Sequence, residues 1–166
     1  MSSYFKEIIL QSRQASRAMS KLTAEDRSKI LMNISGFLLN HKNDILQANQ
    51  LDVERAKSNN LSEPMVNRLI LTSEKIDQLS QDVDKIAQMP DPLNQELEIW
   101  DNPSNGLRFS KVSVALGVIG IIYESRPNVT IDAASLCLRS GNVSILRGGS
   151  ECIETNKKLY ECIQQA

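Results

Sequence analysis

The chain has 166 residues, with 19 basic and 20 acidic side chains, a formal net charge of −1 and 4% aromatic content. A polyanion-binding protein is excluded as the leading class, because nucleic acid or an anionic membrane calls for a basic surface and stacked bases call for aromatic platforms. The 41% hydrophobic fraction suits a soluble domain with its own core, and no apolar run reaches the length of a membrane span.

Met1-Ser-Ser-Tyr-Phe-Lys-Glu7 lacks a basic patch followed by a long apolar stretch, so no secretory leader is read there and a cytoplasmic location is expected. The three cysteines, Cys137, Cys152 and Cys162, form no CxxC pair, and an odd count fits a reducing compartment.

Residues 3 to about 89 read as consecutive helices. Phe5, Ile8, Ile9, Ala15, Met19 and Leu22 make the first apolar stripe. Thr23 with Glu25 and Asp26 marks a helix start, and Ile30, Ile34, Phe37 and Leu38 follow at helical spacing. His41 to Asp44 interrupts, with a further helix from about 44 to 57 that Asn59-Asn60 ends. Ser62-Glu-Pro64 opens a short helix, since proline is tolerated in a first turn. Thr72 or Ser73 caps the next. Charged residues throughout this region are expected on solvated faces.

Met89-Pro-Asp-Pro92 is a rigid linker at which the pattern changes from helical to alternating. Leu97–Asp101 and Leu107–Val114, joined by Asn102-Pro-Ser-Asn-Gly106, read as a β-hairpin. Val118–Tyr123 is almost wholly apolar, as a strand covered on both faces is. A helix from about Asn128 to Arg139 then ends at Ser140-Gly141, a second buried strand runs from Val143 to Leu146, and Ser150 is placed to cap a last helix. The expected fold class is therefore α/β.

Two loops carry the candidate chemistry. In Arg147-Gly-Gly-Ser-Glu151 the glycines let a ligand approach the backbone, the helix behind offers unpaired N–H groups, and an arginine can grip a phosphate with a two-pronged fork. With neither GxGxxG nor GxxxxGK[ST] present, an ordinary strand-to-helix turn is an even alternative. Glu124-Ser-Arg-Pro-Asn128 lies beyond the carboxyl end of a parallel strand, where open α/β sheets place ligands. Asn128 caps the following helix or donates to a developing oxyanion; Arg126 holds an anion or pairs with Glu124. Cys137 reads as a core residue. Cys152, near a helix N-terminus where the thiol pKa is lowered, reads as a bystander. His41 is structural, and one histidine without a Cys/His cluster makes a metal site improbable.

The runs Leu116-Gly-Val-Ile-Gly-Ile-Ile-Tyr-Glu-Ser-Arg-Pro-Asn-Val-Thr130, Ser135-Leu-Cys-Leu138 and Gly141-Asn142 through Arg147-Gly-Gly-Ser-Glu151 resemble gamma-glutamyl phosphate reductase, of the aldehyde dehydrogenase superfamily. Leu46-Gln-Ala-Asn49, Asn60-Leu-Ser-Glu63 and Asn67-Arg-Leu69 extend the resemblance across essentially the whole chain. Ala115 departs from it, standing where members commonly carry proline.

The resemblance implies N-terminal helices (1–89), an oligomerisation-type β-hairpin (90–115) and the first βαβα of an aldehyde-dehydrogenase-type Rossmann-like domain (116–166), incomplete. It implies NADPH-dependent reduction of L-glutamate 5-phosphate to L-glutamate 5-semialdehyde in proline biosynthesis, through a cysteine thiolate. None of the three cysteines matches that nucleophile, so the chain is expected to be an N-terminal piece, inactive alone. The implied cofactor residues are Ile122, Tyr123, Glu124, Ser125, Arg147, Gly148 and Gly149, with Ser150 or Glu151 at the ribose. Arg126 is the implied substrate residue, and Arg126 or Asn128 stands at the oxyanion position. Glutamate 5-kinase and a second copy of the chain are the implied partners. The rival expectation is a non-catalytic nucleotide-binding or assembly module.

Overall fold

The computed structural model describes residues 3–166; Met1 and Ser2, part of the stretch read for a leader, lie outside the described residues. Five helices come first: α1 (Ser3–Met19), α2 (Ala24–Asn40), α3 (Lys42–Ser58), α4 (Glu63–Leu69) and α5 (Ser73–Gln88). A hairpin of β1 (Glu96–Asn102) and β2 (Leu107–Val112) follows, then β3 (Val118–Ile122), α6 (Asn128–Arg139), β4 (Val143–Arg147), a 3₁₀ turn (Ser150–Cys152) and α7 (Ile153–Gln165).

The helix starts obey their caps. The Thr23 hydroxyl accepts the Asp26 N–H at 3.1 Å while the Asp26 carboxylate accepts the Thr23 N–H at 2.9 Å, a reciprocal capping box that satisfies two orphan donors. Thr72, of the two candidates, caps α5 by accepting the Lys75 N–H at 3.3 Å. The break before α3 is tighter than the sequence suggested: His41 alone separates α2 from α3. Its ring bridges Asp44 and Gln165, a structural role.

Leu31, Ile34, Leu38, Ile45, Ile76 and Val83 of the helical region form one continuous core with Ile131 and Leu138 of α6 and Leu159 of α7. The helices and the βαβα unit thus exclude water together. Two buried arginines seam them to the linker. Arg27 donates to the Leu22 carbonyl and to Asp91, each at 2.7 Å; Arg139 donates to Ser28 Oγ at 2.8 Å and to the Met89 carbonyl. Arg27, with Asp52, corrects the expectation that the charged residues of the helical region lie on solvated faces: a buried guanidinium is tolerated because a backbone carbonyl and a carboxylate replace its hydration.

Two further expectations are corrected. Most of the α1 stripe stays outside the core: Phe5 and Ile9 are exposed and Ser12 is the helix's buried residue, while Met19 packs against the core. α1 instead lies against β4 and β3, leaving a groove of about 680 Å³ walled by Ile8, Met19, Ile34, Leu138, Ile145 and Ile163. Nor is β3 covered on both faces. Ile119 and Ile121 are half-buried while Val118 and Ile122 are exposed, so packing covers one face of the strand and leaves the other open.

Candidate nucleotide site

In register, Val118 pairs with Val143 and Ile122 with Arg147, so the two parallel strands end level with each other. The Tyr123 N–H donates to the Arg147 carbonyl at 3.1 Å and carries the pairing one residue further. The Glu124–Asn128 loop and the Gly148–Glu151 turn therefore emerge side by side at the carboxyl edge, as the sequence led one to expect. Glu124, Arg126 and Arg147 are exposed there. No ion pair among the described residues engages either arginine, so the alternative of an Arg126–Glu124 pair is not formed.

Below this rim lies a chain of side-chain hydrogen bonds. Thr130 Oγ1 donates to Asn156 Oδ1 at 3.0 Å, so the 2.6 Å contact between Tyr123 and Thr130 has the phenol as donor. Asn156 Nδ2 reaches Cys152 Sγ at 3.3 Å. The Gly148 backbone rests on this chain. A Cβ there would collide with the Asn156 amide and come within 3.2 Å of the Tyr123 ring. Burial pushes the Tyr123 phenol up, against the pull of Thr130, which keeps it a donor.

Beside it, Ser125 is almost wholly buried and holds φ +52, uncommon for a residue with a Cβ. Its N–H donates to Glu151 Oε1 at 2.5 Å and its hydroxyl donates to the same oxygen at 3.0 Å. Burial would raise the Glu151 carboxyl, but hydrogen bonds from its own backbone N–H and from Ser125 outweigh it and leave the group below the usual glutamate range. A Cβ on Gly149 would collide with both carboxylate oxygens, so the glycine is what makes room for them.

The helix behind the turn differs from expectation. Ser150 opens the 3₁₀ turn and makes no side-chain cap. Two amides at the start of α7 are taken by a buried acid from α3: Asp52 accepts the Thr155 N–H at 2.8 Å, the Thr155 hydroxyl at 2.7 Å and the Glu154 N–H at 3.3 Å, and pairs with Arg55. An internal carboxylate thus fills the anion-binding end of the helix. Asn49 braces the arrangement by donating to Thr155 Oγ1 and the Leu69 carbonyl and accepting from the Leu71 N–H.

Asn128 does not cap α6. The helix begins at Asn128, Pro127 holds the cap position, and Asn128 Nδ2 donates to Asp132 at 2.9 Å. The helix-terminus argument for a lowered Cys152 pKa is overturned as well. Burial, then the Glu151 charge, pushes that thiol up to about 11. Cys162 is likewise pushed up to about 11 by burial and Glu161, and burial raises Cys137. All three thiols are buried and held protonated. No group of three or more potential metal ligands exists among the described residues.

Asp52, Asn49, Thr130, Thr155 and Asn156 escaped the sequence reading. For the first two a signal existed: Ile45, Ala48, Asn49, Asp52, Val53 and Ala56 fall on one helix face, and polar members of an otherwise apolar stripe ask for buried partners.

No protein-family model matches the chain. The gamma-glutamyl phosphate reductase of a Geobacillus species is 43% identical over 156 residues, covering 94% of this chain and 38% of the relative. The crystal structure of the Thermotoga maritima gamma-glutamyl phosphate reductase superposes with a TM-score of 0.89 at 36% identity, over 93% of this chain and 37% of that one. Over nearly its whole length the chain is similar to gamma-glutamyl phosphate reductases. It spans less than two fifths of the length of those family members. An NAD-dependent benzaldehyde dehydrogenase from Corynebacterium glutamicum, 18% identical with a TM-score of 0.66 over 91% of this chain and 31% of that one, shows the same aldehyde-dehydrogenase-type fold. Set beside those family members, the two-stranded β3–β4 sheet and its helices are the opening part of an α/β domain of that type. Among the described residues no helix is long and apolar enough to cross a membrane.

Proposed function

We propose that this chain supplies the nucleotide-binding part of an NADPH-dependent reductase that converts L-glutamate 5-phosphate to L-glutamate 5-semialdehyde, releasing phosphate. The observation that carries the reading is the exposed Arg147 beside Gly148 and Gly149, level with the end of β3. An arginine with its fork free at the carboxyl edge of the two strands suits the additional phosphate of NADPH.

Ile122, Tyr123 and Glu124 make one wall of this site, Arg147, Gly148, Gly149 and Ser150 make the other, and Ser125 and Glu151 stand behind them. Arg126 faces the acyl phosphate as a fixed cation. Asn128, one amide proton spent on Asp132, has a second to offer a developing oxyanion. The nucleotide, when bound, supplies the hydride. The attacking thiolate is not one of this chain's three cysteines, since each is buried and held protonated. By role the chain divides into helices (1–89), hairpin (90–115) and nucleotide unit (116–166), although the first and last share one core.

The test is a titration of the isotope-labelled chain with 2′,5′-ADP and with 5′-AMP. The expected result is preference for 2′,5′-ADP, amide shifts confined to 122–125 and 147–151, and at least tenfold weaker binding in Arg147→Ala. Equal affinity for the two nucleotides would sink the NADPH assignment. The chain alone is expected to show no NADP reduction with semialdehyde and phosphate; turnover abolished by alkylating one of its cysteines would contradict that.

The exposed hairpin favours a second, compatible role in self-association. Trp100 and Phe109, paired across the strands with rings stacked at 5.6 Å, stand half in solvent with Leu97, Ile99 and Leu107. An apolar ribbon of this kind buries itself against a partner sheet.

A further inference from the structure

We propose that Glu151 is a positioning residue of the nucleotide site, acting through Ser125 rather than by touching the nucleotide. The proposal rests on the cofactor assignment above and names what holds its two walls together.

Ser125 is the least comfortable residue of the loop. At φ +52 its Cβ crowds the following carbonyl, a strain that glycine and asparagine carry more easily than serine. Its burial leaves the N–H and the hydroxyl no water to bond. One atom meets all of these needs: Glu151 Oε1 accepts both donors, at 2.5 and 3.0 Å.

The carboxylate is itself placed from the other side. It lies over Gly149, whose missing side chain is the space it occupies, and Glu151 belongs to the 3₁₀ turn that follows β4. Gly149, Glu151 and Ser125 therefore form a clamp across 26 residues of sequence, from the turn after β4 to the loop after β3. Its consequence is geometric. Ser125 lies between Glu124 and Arg126, both exposed, and the left-handed turn at Ser125 sets the directions in which the chain presents them. A ribose hydroxyl that drew this carboxylate away would strip the acceptor from a buried N–H.

The experiment compares Glu151→Ala, Glu151→Gln, Ser125→Gly and the double variant E151A/S125G in the whole chain, with 2′,5′-ADP as the probe. The Ser125-to-Arg126 amide shifts and the urea midpoint are followed in parallel. Glu151→Ala is expected to weaken binding about tenfold and to move the loop amides. Glu151→Gln, which keeps an acceptor oxygen, should stay within about threefold of the parent. The decisive variant is the double one. Glycine adopts φ +52 without help, and the space left by the two side chains admits a water to the residue-125 N–H, so E151A/S125G should recover most of the affinity lost in Glu151→Ala.

A double variant as weak as Glu151→Ala, with Ser125→Gly alone unimpaired, would mean that Glu151 meets the nucleotide directly, and the proposal would fall. So would a Glu151→Ala variant that binds like the parent. Absence of 2′,5′-ADP binding by the parent chain overturns the cofactor assignment itself, and the positioning role with it. Should Glu151→Ala not fold, the Glu151→Gln and Ser125→Gly affinities decide: a tenfold loss in Glu151→Gln against none in Ser125→Gly counts against the clamp.

Discussion

Asp52 on α3 and Thr155 on α7 are joined twice, the Thr155 N–H and hydroxyl both donating to Asp52 Oδ2 at 2.8 and 2.7 Å, and both residues are wholly buried. The carboxylate faces the positive end of α7, so helix dipole, hydrogen bonds and Arg55 act together on one charge. Asp52→Ala would leave two amides, a hydroxyl and a guanidinium without their acceptor and is expected to cost about 3–5 kcal/mol. Asp52→Asn keeps one acceptor oxygen but turns an N–H toward other donors, and should cost about 1–3 kcal/mol. Urea unfolding midpoints at constant m-value check both figures. A Thr155→Val variant, which removes one donor and keeps the shape, should cost less than either.

The same pair shows how far the sequence carried. The apolar spacing, the Thr23 cap, the linker at Met89, the hairpin and the existence of β3 and β4 were legible because each depends on residues close in the chain. Legible too was the rim of Arg126 and Arg147, since strand ends and glycines announce loops. What holds the rim was not. Asp52 to Thr155, Ser125 to Glu151 and Tyr123 through Thr130 to Asn156 are long-range pairings of single polar side chains. No periodicity encodes them. The exposure of α1 and of β3's outer face was missed for a related reason: an apolar stripe shows that a face wants cover, and the partner that provides it need not lie within the stretch of chain being read.

The thiols should be inert while the chain is folded. With Cys152 and Cys162 pushed up to about 11, only about one molecule in a thousand carries either thiolate at pH 8. Iodoacetamide at pH 8 is expected to leave all three cysteines unmodified in buffer and to modify all three in urea, as counted by intact mass. The sign of the linkage follows. Folded thiols hold their protons to higher pH than unfolded ones, so stability is complete below about pH 8.5 and falls as pH rises toward 11, by up to about 3 kcal/mol for each of the two. Cys152→Ser and Cys162→Ser should flatten that decline; an unchanged alkaline limb in both would contradict it.

Asp132 works in the opposite sense to most carboxylates. Half-buried on α6, its carboxyl is raised, chiefly by burial and further by the Asp82 charge, against the stabilising Asn128 Nδ2 bond at 2.9 Å. A raised acid favours the folded state fully below its unfolded pKa, and that contribution is lost as pH rises through the folded value. At neutral pH the ionised group therefore opposes folding. Asp132→Asn is expected to raise the thermal midpoint at pH 7 and to lose this advantage as the pH is lowered toward 4. A variant destabilised at both pH values would show that the charge, and not merely the shape, is needed beside Asn128.

Trp100 is the only tryptophan of the chain, which makes the hairpin its own reporter. Its ring lies 5.6 Å from Phe109 at 12°, with half its surface in water, and no residue of β1 or β2 is classed as buried. A two-stranded ribbon this exposed gains little from its own fold, and association would bury Trp100, Phe109 and Leu107 together. Tryptophan emission is therefore expected to shift to the blue as the chain is concentrated from about 1 μM to about 100 μM, in step with a rise in sedimentation coefficient. Trp100→Lys removes the reporter and the contact, so sedimentation alone is followed there, and the variant should stay monomeric with its unfolding free energy altered by less than about 0.5 kcal/mol. Phe109→Lys keeps the tryptophan and should hold its emission at the dilute position throughout. A parent chain that remains monomeric at 100 μM, with constant emission, would remove the hairpin as a self-association surface.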